Sequence, residues 1–218
     1  MKMNIKNIEY ILFDLDGTIT DPFEGITKSV EYSLEKFGIK VADRKELICF
    51  IGPPLKYAYM TYYNLSEEDA ERAVAYYREV YPVKGIFDCT LYDGIKELLD
   101  KLSKDYKLIL ATSKPQPFAE KVLEAFDLTK SFYKIVGATF DDKVSEKSDV
   151  IKKVLCDFNI RPEQALMIGD RFYDTEGAEK NGVASVGVTY GYGVREEFKS
   201  ASAIVDSVAE LSDLFENK

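Results

Sequence analysis

Short apolar runs rich in β-branched residues alternate with amphipathic stretches of helical period along most of this chain. That alternation constrains the fold more than any other feature. The runs cover residues 8–14, 107–112, 134–137, 165–169, 184–188 and 203–205, and helical patterns at 94–103, 117–126, 147–158 and 175–180 fall between them. Near-continuous Val, Ile and Leu in a strand means burial on both faces, which a parallel sheet achieves by carrying helices on both sides. The pattern predicts an α/β fold, a doubly wound parallel sheet. Its right-handed crossovers align the strand C-termini along one edge, where open α/β sheets carry their sites.

Residues 20–88 break the rhythm. No strand pattern is legible there; Asp21-Pro22-Phe23-Glu24 reads as a capping box with proline at the first helical position, and Ser66-Glu67-Glu68-Asp69 opens another helix. Two domains are therefore predicted, an α/β core of residues 1–19 and 89–218 and an inserted all-helical cap of residues 20–88. An insert that starts beside a strand end is placed to act as a lid.

Composition narrows the function. The 218 residues are 46% hydrophobic, enough for a sizeable core, and the formal net charge of −9 argues against nucleic acid or an anionic membrane as the main partner. The chain has no histidine, which excludes Ser-His-Asp triads, Cys-His pairs and phosphohistidine chemistry. Cys49, Cys89 and Cys156 sit among apolar neighbours and read as reduced core thiols of a cytosolic protein. Metal ligands are then expected to be oxygens, which points to Mg²⁺ rather than Zn²⁺. Without an apolar export segment or a run of membrane-spanning length, the expected location is cytoplasmic.

Asp14 and Asp16 close the first apolar run, in Ile11-Leu12-Phe13-Asp14-Leu15-Asp16-Gly17-Thr18. Ionised carboxylates that close together repel and resist desolvation, so a cation is needed between them. Three further stretches accompany this one: Ala111-Thr112-Ser113-Lys114 after the second run, Lys147 at the start of a helix, and Gly169-Asp170-Arg171-Phe172-Tyr173-Asp174 after the fourth run. In order, spacing and strand-end placement they resemble the four motifs of the haloacid dehalogenase-like hydrolase superfamily, over nearly the whole chain. The resemblance is greatest to phosphoglycolate phosphatase-like members with a helical cap after the first motif. Ile51-Gly52-Pro53-Pro54-Leu55 and Tyr190-Gly191-Tyr192-Gly193 are similar to recurring features of that group.

The resemblance implies a Rossmann-like core and a Mg²⁺-dependent phosphatase acting on a small phosphorylated metabolite, such as 2-phosphoglycolate or a nucleoside monophosphate. Asp14 is then the nucleophile that forms an aspartyl-phosphate. Asp16, diverging at the Gly17 turn, is the general acid and afterwards the base for water. Asp170 is expected to meet the metal together with the Asp14 side chain and the Asp16 backbone carbonyl. Asp174 supports the metal through water, orients a neighbour, or serves as a helix N-terminal carboxylate favoured by the dipole. Thr112 donates to a phosphoryl oxygen, with Ser113 and Gly17 also expected at the substrate. Lys147 supplies the positive charge, with Lys143 as a rival, because Lys147-Ser148 stands where the family often has Lys-Pro. Lys56, beside the Gly-Pro-Pro turn, is a candidate for touching the leaving part of the substrate. The protein is expected to be a monomer or a weak homodimer.

Other readings are weaker. Gly191-Tyr192-Gly193-Val194-Arg195-Glu196 begins like a dinucleotide fingerprint, but Glu196 replaces the third glycine and no βαβ opening surrounds it, so it reads as a loop. Tyr57, Tyr59, Tyr62 and Tyr63 read as an aromatic helix face packing on its neighbours in preference to a cavity lining. A phospho-aspartate signalling receiver would be shorter and would lack the insert and Asp16. Dehalogenase relatives characteristically lack the second aspartate of the first motif, which is present here. Sugar phosphomutases use a histidine near the cap hinge, which this chain does not have. A phosphomutase of another kind, or a pyrophosphatase of the same superfamily, stays open.

Overall fold

A computed structural model describes residues 7–140 and 143–216. The chain divides into two compact units, one made of the chain up to Asp21 and from Leu91 onward, the other of Pro22–Thr90.

The Pro22–Thr90 unit carries helices α1 (Phe23–Glu35), α2 (Leu55–Tyr63) and α3 (Glu67–Val80), with a 3₁₀ turn at Arg44–Phe50. Ile26, Val30 and Leu34, spaced four apart, form the buried stripe of α1. At the start of α3 the Ser66 hydroxyl oxygen accepts the Asp69 N–H at 3.1 Å, the cap expected from the sequence. The capping box expected for α1 does not form. Pro22 occupies the cap position with no side-chain hydrogen bond, and Asp21 lies in a two-residue strand, Thr20–Asp21, inside the stretch read as strand-free. The Asp21 carboxylate instead accepts the Tyr192 hydroxyl, and a carboxylate held there does not fold back onto the helix start.

The aromatic face of α2 is split. Tyr59 is buried against Phe50 with ring centroids 4.8 Å apart and Tyr63 approaches the same ring at 5.7 Å, whereas Tyr57 and Tyr62 are exposed. The cysteines also depart from expectation, since Cys156 is exposed and Cys49 and Cys89 are only half-buried; none forms a disulfide. No helix among the described residues is long and apolar enough to cross a membrane.

The other unit is built on six parallel strands: β1 (Tyr10–Phe13), β2 (Lys107–Pro115), β3 (Lys134–Ala138), β4 (Ala165–Gly169), β5 (Ala184–Val188) and β6 (Ala203–Val205), in the order β3-β2-β1-β4-β5-β6. They alternate with α4 (Ile95–Leu102), α5 (Gln116–Ala125), α6 (Lys147–Asp157), α7 (Phe172–Lys180) and α8 (Val208–Glu216). Helix α7 begins three residues before the expected start because the Arg171 N–H and the Asp174 carboxylate close its first turn at 3.1 Å. Side chains alternate across the sheet with a period of two. Leu12, Ile109, Ala111, Val136, Ala165 and Met167 pack on Val150, Ile151 and Val154 of α6 and Ala178 of α7. Their neighbours Ile11, Phe13, Leu108, Leu110, Leu166 and Ile168 are equally buried, so both faces of the sheet are covered. Each of the buried Val, Leu, Ile, Phe and Met side chains contributes about 1.5–3 kcal/mol.

The strand order reverses at β1. The chain runs outward from β1 through β2 to β3, then returns to lay β4 on the other flank of β1, so the C-terminal ends of β1 and β4 meet at a topological switch point.

Candidate active site

The four aspartates sit one to a few residues beyond a strand end, Asp14 and Asp16 after β1 and Asp170 and Asp174 after β4. The Asp14 N–H donates to the Ile168 carbonyl at 2.9 Å, continuing the β1–β4 ladder by one step. The chain then wraps tightly around the Leu15 carbonyl, which accepts the Ile19 and Thr20 N–H groups at 2.9 and 3.0 Å. Gly17 makes this loop possible for two reasons. Its φ of +92° lies in the region that side chains avoid, and a Cβ there would stand 2.1 Å from Asp170 Oδ2.

Lys147, the first residue of α6, is buried, and its ammonium has three oxygen neighbours: Asp14 Oδ1 at 2.7 Å, Asp174 Oδ1 at 2.8 Å and the Ala111 carbonyl at 2.9 Å. Burial works against this charge, but Asp14 and Asp174 more than offset it and the ammonium is held above its ordinary value. The rival Lys143 is exposed. Asp174 sits in the first turn of α7, where its carboxylate also accepts the Arg171 N–H. Gly169 leaves room for it, since a Cβ there would lie 2.1 Å from the Asp174 carboxyl carbon. Burial pushes the Asp174 carboxyl up to about 6 despite the neighbouring ammonium. Asp170 is fully closed to solvent, and burial, then Asp174 and Asp14, raise it well above the ordinary carboxylate range.

Asp14, Asp170 and Asp174 each bring a carboxylate oxygen within 4.8 Å of the others. Asp14 Oδ1 and Asp174 Oδ1 are buried and accept no hydrogen bond of good geometry, so their contact with Lys147 is ionic. Three carboxylates against one ammonium leave a local excess of negative charge in a dry setting. An all-oxygen donor set of this kind fits a hard divalent cation.

Asp16 faces elsewhere. Its carboxylate is paired with the Lys114 ammonium and accepts the Thr20 hydroxyl at 3.4 Å, so its side chain stands outside the three-carboxylate cluster. Lys114, which stands within the Ala111-Thr112-Ser113-Lys114 motif, was given no task by the sequence, and a lysine beside the polar end of an apolar run was the available signal. It gains its position from a register shift in β2 between Thr112 and Pro115, an irregularity of the kind that re-aims side chains. Gly137 opposite has no Cβ to obstruct it, since one would come within 2.6 Å of the Lys114 carbonyl. Thr112 is buried with its hydroxyl oxygen accepting the Lys114 N–H at 3.2 Å, and Ser113 is half-buried.

Lys56 lies in the Pro22–Thr90 unit with its ammonium between Glu67 and Glu71, at 2.8 and 2.7 Å. The stretch from Gly191 to Glu196 is a loop, as expected, that runs into a short 3₁₀ turn, Arg195–Glu197.

Known proteins resemble this chain in sequence and fold. The family model described as haloacid dehalogenase-like hydrolase matches residues 11–188. A "predicted phosphatase" from Clostridium acetobutylicum, known from its crystal structure, is 51% identical and superposes with a TM-score of 0.93, covering 94% of this chain and 97% of its own. A 5'-nucleotidase of Pseudomonas aeruginosa is 43% identical over 191 residues, 87% of this chain and 86% of the relative. The tyrosine-protein kinase PtkA of Mycobacterium tuberculosis is 35% identical over 211 residues, 95% of this chain and 72% of the relative.

Proposed function

Because this chain belongs to the haloacid dehalogenase-like hydrolases and is a phosphatase among them, we propose that it hydrolyses a small phosphate monoester with Mg²⁺ bound. The substrate class is phosphoglycolate-like or a nucleoside monophosphate, and the reaction passes through an aspartyl-phosphate. The observation that carries this reading is the convergence of Asp14, Asp170 and Asp174 beside Lys147.

In this reading an Asp14 carboxylate oxygen attacks phosphorus in line with the leaving oxygen, which departs with a proton that Asp16, resting as a carboxylate against Lys114, first takes up from solvent. Asp16 then takes a proton from the water that opens the aspartyl-phosphate and releases it to solvent, returning both residues to their starting states. Lys147 keeps Asp14 aimed and lessens its repulsion from an incoming dianion. The Thr112 hydroxyl oxygen already accepts the Lys114 N–H, which leaves its own hydrogen for a phosphoryl oxygen. Lys114 holds the Asp16 side chain in one place through both half-reactions. Asp14 and Asp170, with the Asp16 carbonyl and with Asp174 in support, would hold Mg²⁺, which when bound neutralises charge on the phosphoryl oxygens. Selectivity for the leaving group falls in this reading to the helical unit, Pro22–Thr90.

A panel of phosphate monoesters, assayed with MgCl₂ and with EDTA and repeated with Asp14→Asn, tests the proposal. Turnover of one or more monoesters that needs Mg²⁺ and vanishes in Asp14→Asn is expected; retained turnover in that variant refutes the nucleophile. The similarity to PtkA over 95% of the chain favours one second reading, phosphoryl transfer to an acceptor other than water. Adding pyrophosphate, and ATP with a tyrosine-containing peptide, to the panel separates these cases.

A further inference from the structure

Asp14 and Asp174 are oriented by Lys147; the third carboxylate of the cluster is held by a different device. Beyond β5 the Thr189 N–H still donates to the Val205 carbonyl at 3.0 Å, after which the chain turns across the loop of residues 17–21. There the Tyr192 N–H donates to Asp170 Oδ2 at 2.8 Å. The other oxygen, Oδ1, faces the Thr18 hydroxyl at 3.4 Å.

The approach is close enough to demand glycine. A Cβ on Gly191 would lie 2.1 Å from the Gly17 carbonyl and 2.5 Å from Asp170 Cβ, and one on Gly193 would lie 2.0 Å from the Asp170 carbonyl. Gly17 presses on the same carboxylate, where a Cβ would lie 2.1 Å from Oδ2, so the two glycine backbones together confine Asp170. Two phenol hydroxyls peg the segment down, Tyr190 to the Thr18 carbonyl at 3.0 Å and Tyr192 to the Asp21 carboxylate. The Tyr190 ring is braced edge-on by Tyr92, with centroids 5.0 Å apart.

We propose that residues 190–193 are a positioning strap for the metal site, which presents the Asp170 carboxylate to Mg²⁺ through the Tyr192 N–H and the two glycine contacts. The inference rests on the metal reading proposed above. Groups that hydrogen-bond a ligating carboxylate fix its direction before the ion arrives, and losing them costs about 10–100-fold in metal affinity.

Calorimetric titration of the metal-free full chain with MgCl₂ tests the strap without any turnover. Gly191→Ala is expected to weaken Mg²⁺ binding by about 10–100-fold while far-UV circular dichroism stays native. Gly182→Ala is the control for mere destabilisation: its φ is +70° but its Cβ would meet nothing nearer than 3.6 Å, so it strains the backbone away from the site and should leave the affinity unchanged. If Gly191→Ala does not fold, the double variant Tyr190→Phe/Tyr192→Phe removes both pegs with every backbone atom kept, and a loss of about threefold or more is expected. Wild-type affinity in the folded strap variant, or an equal loss in Gly182→Ala, overturns the strap. An unaltered protein that takes up no Mg²⁺ overturns the metal reading beneath it.

Discussion

Lys114 and Asp16 form a buried ion pair: the lysine ammonium lies against a carboxylate oxygen, with 5% and 12% of the two side chains exposed. The partners are 98 residues apart in sequence. Breaking such a pair on one side strands the other charge, which costs more than the pair itself contributes. Lys114→Met is therefore expected to lower unfolding free energy by about 3 kcal/mol, and Asp16→Asn/Lys114→Met by clearly less. Urea denaturation of the two single variants and the double measures the coupling; additive losses would show that the pair is not coupled.

The Lys147 ammonium touches two members of the acidic cluster, Asp14 and Asp174. Lys147→Met should lower the melting temperature of the metal-free protein and enlarge the gain produced by MgCl₂, because a divalent ion then neutralises more uncompensated charge. Turnover should fall by about 10²–10³-fold, the usual loss on removing one preorganised charge-stabilising group. Thermal melts with and without MgCl₂, alongside kcat, check both parts.

Asp14 and Asp16 are assigned different steps, so their amides should fail differently. Asp14→Asn should form no phosphoenzyme at all. Asp16→Asn should still form one, with formation and breakdown both slowed by about 10²–10⁴-fold. Rapid-quench trapping distinguishes the two; equal and normal rates for Asp16→Asn would remove it from proton transfer.

Burial raises the Asp174 carboxyl to about 6 and Asp170 well above 3.8. Both groups bind protons more tightly folded than unfolded, so their stabilisation is complete below about 3.8; the Asp174 share is lost as pH rises through about 6, and the Asp170 share is likewise lost with rising pH. Exposed carboxylates that partners depress, such as Glu24 beside Arg44, act in the opposite sense only below their ordinary value near 4.5. The metal-free protein should therefore melt at a higher temperature near pH 5 than near pH 7. Since Mg²⁺ needs ionised ligands, its stabilising effect should grow over the same interval, and scanning calorimetry at both pH values with and without MgCl₂ measures this.

Much of the architecture was legible because its causes are local. A strand buried on both faces must be written as a continuous apolar run, and β4, Ala165–Gly169, is the clearest case, its bounds matching the expectation residue for residue. The acidic motifs were legible for a related reason, since carboxylates at the ends of apolar runs are too costly to place there without a task. The α1 cap was misread because Asp21 satisfies a local rule and a distant tyrosine at once, and the distant partner holds it.

The amino-acid sequence by itself determined the strands and the helices of the insert, and it singled out Asp14, Asp16, Asp170 and Asp174, because apolar periodicity and motif spacing are properties of neighbouring residues. Only the tertiary structure decided that Lys147 rather than Lys143 meets the acids, that Lys114 holds Asp16, and that Tyr192 holds both Asp170 and Asp21. Those pairings follow from β4 returning to the flank of β1 and from the irregular end of β2. Contacts made by chain reversal join residues whose separation along the sequence carries no trace of their proximity.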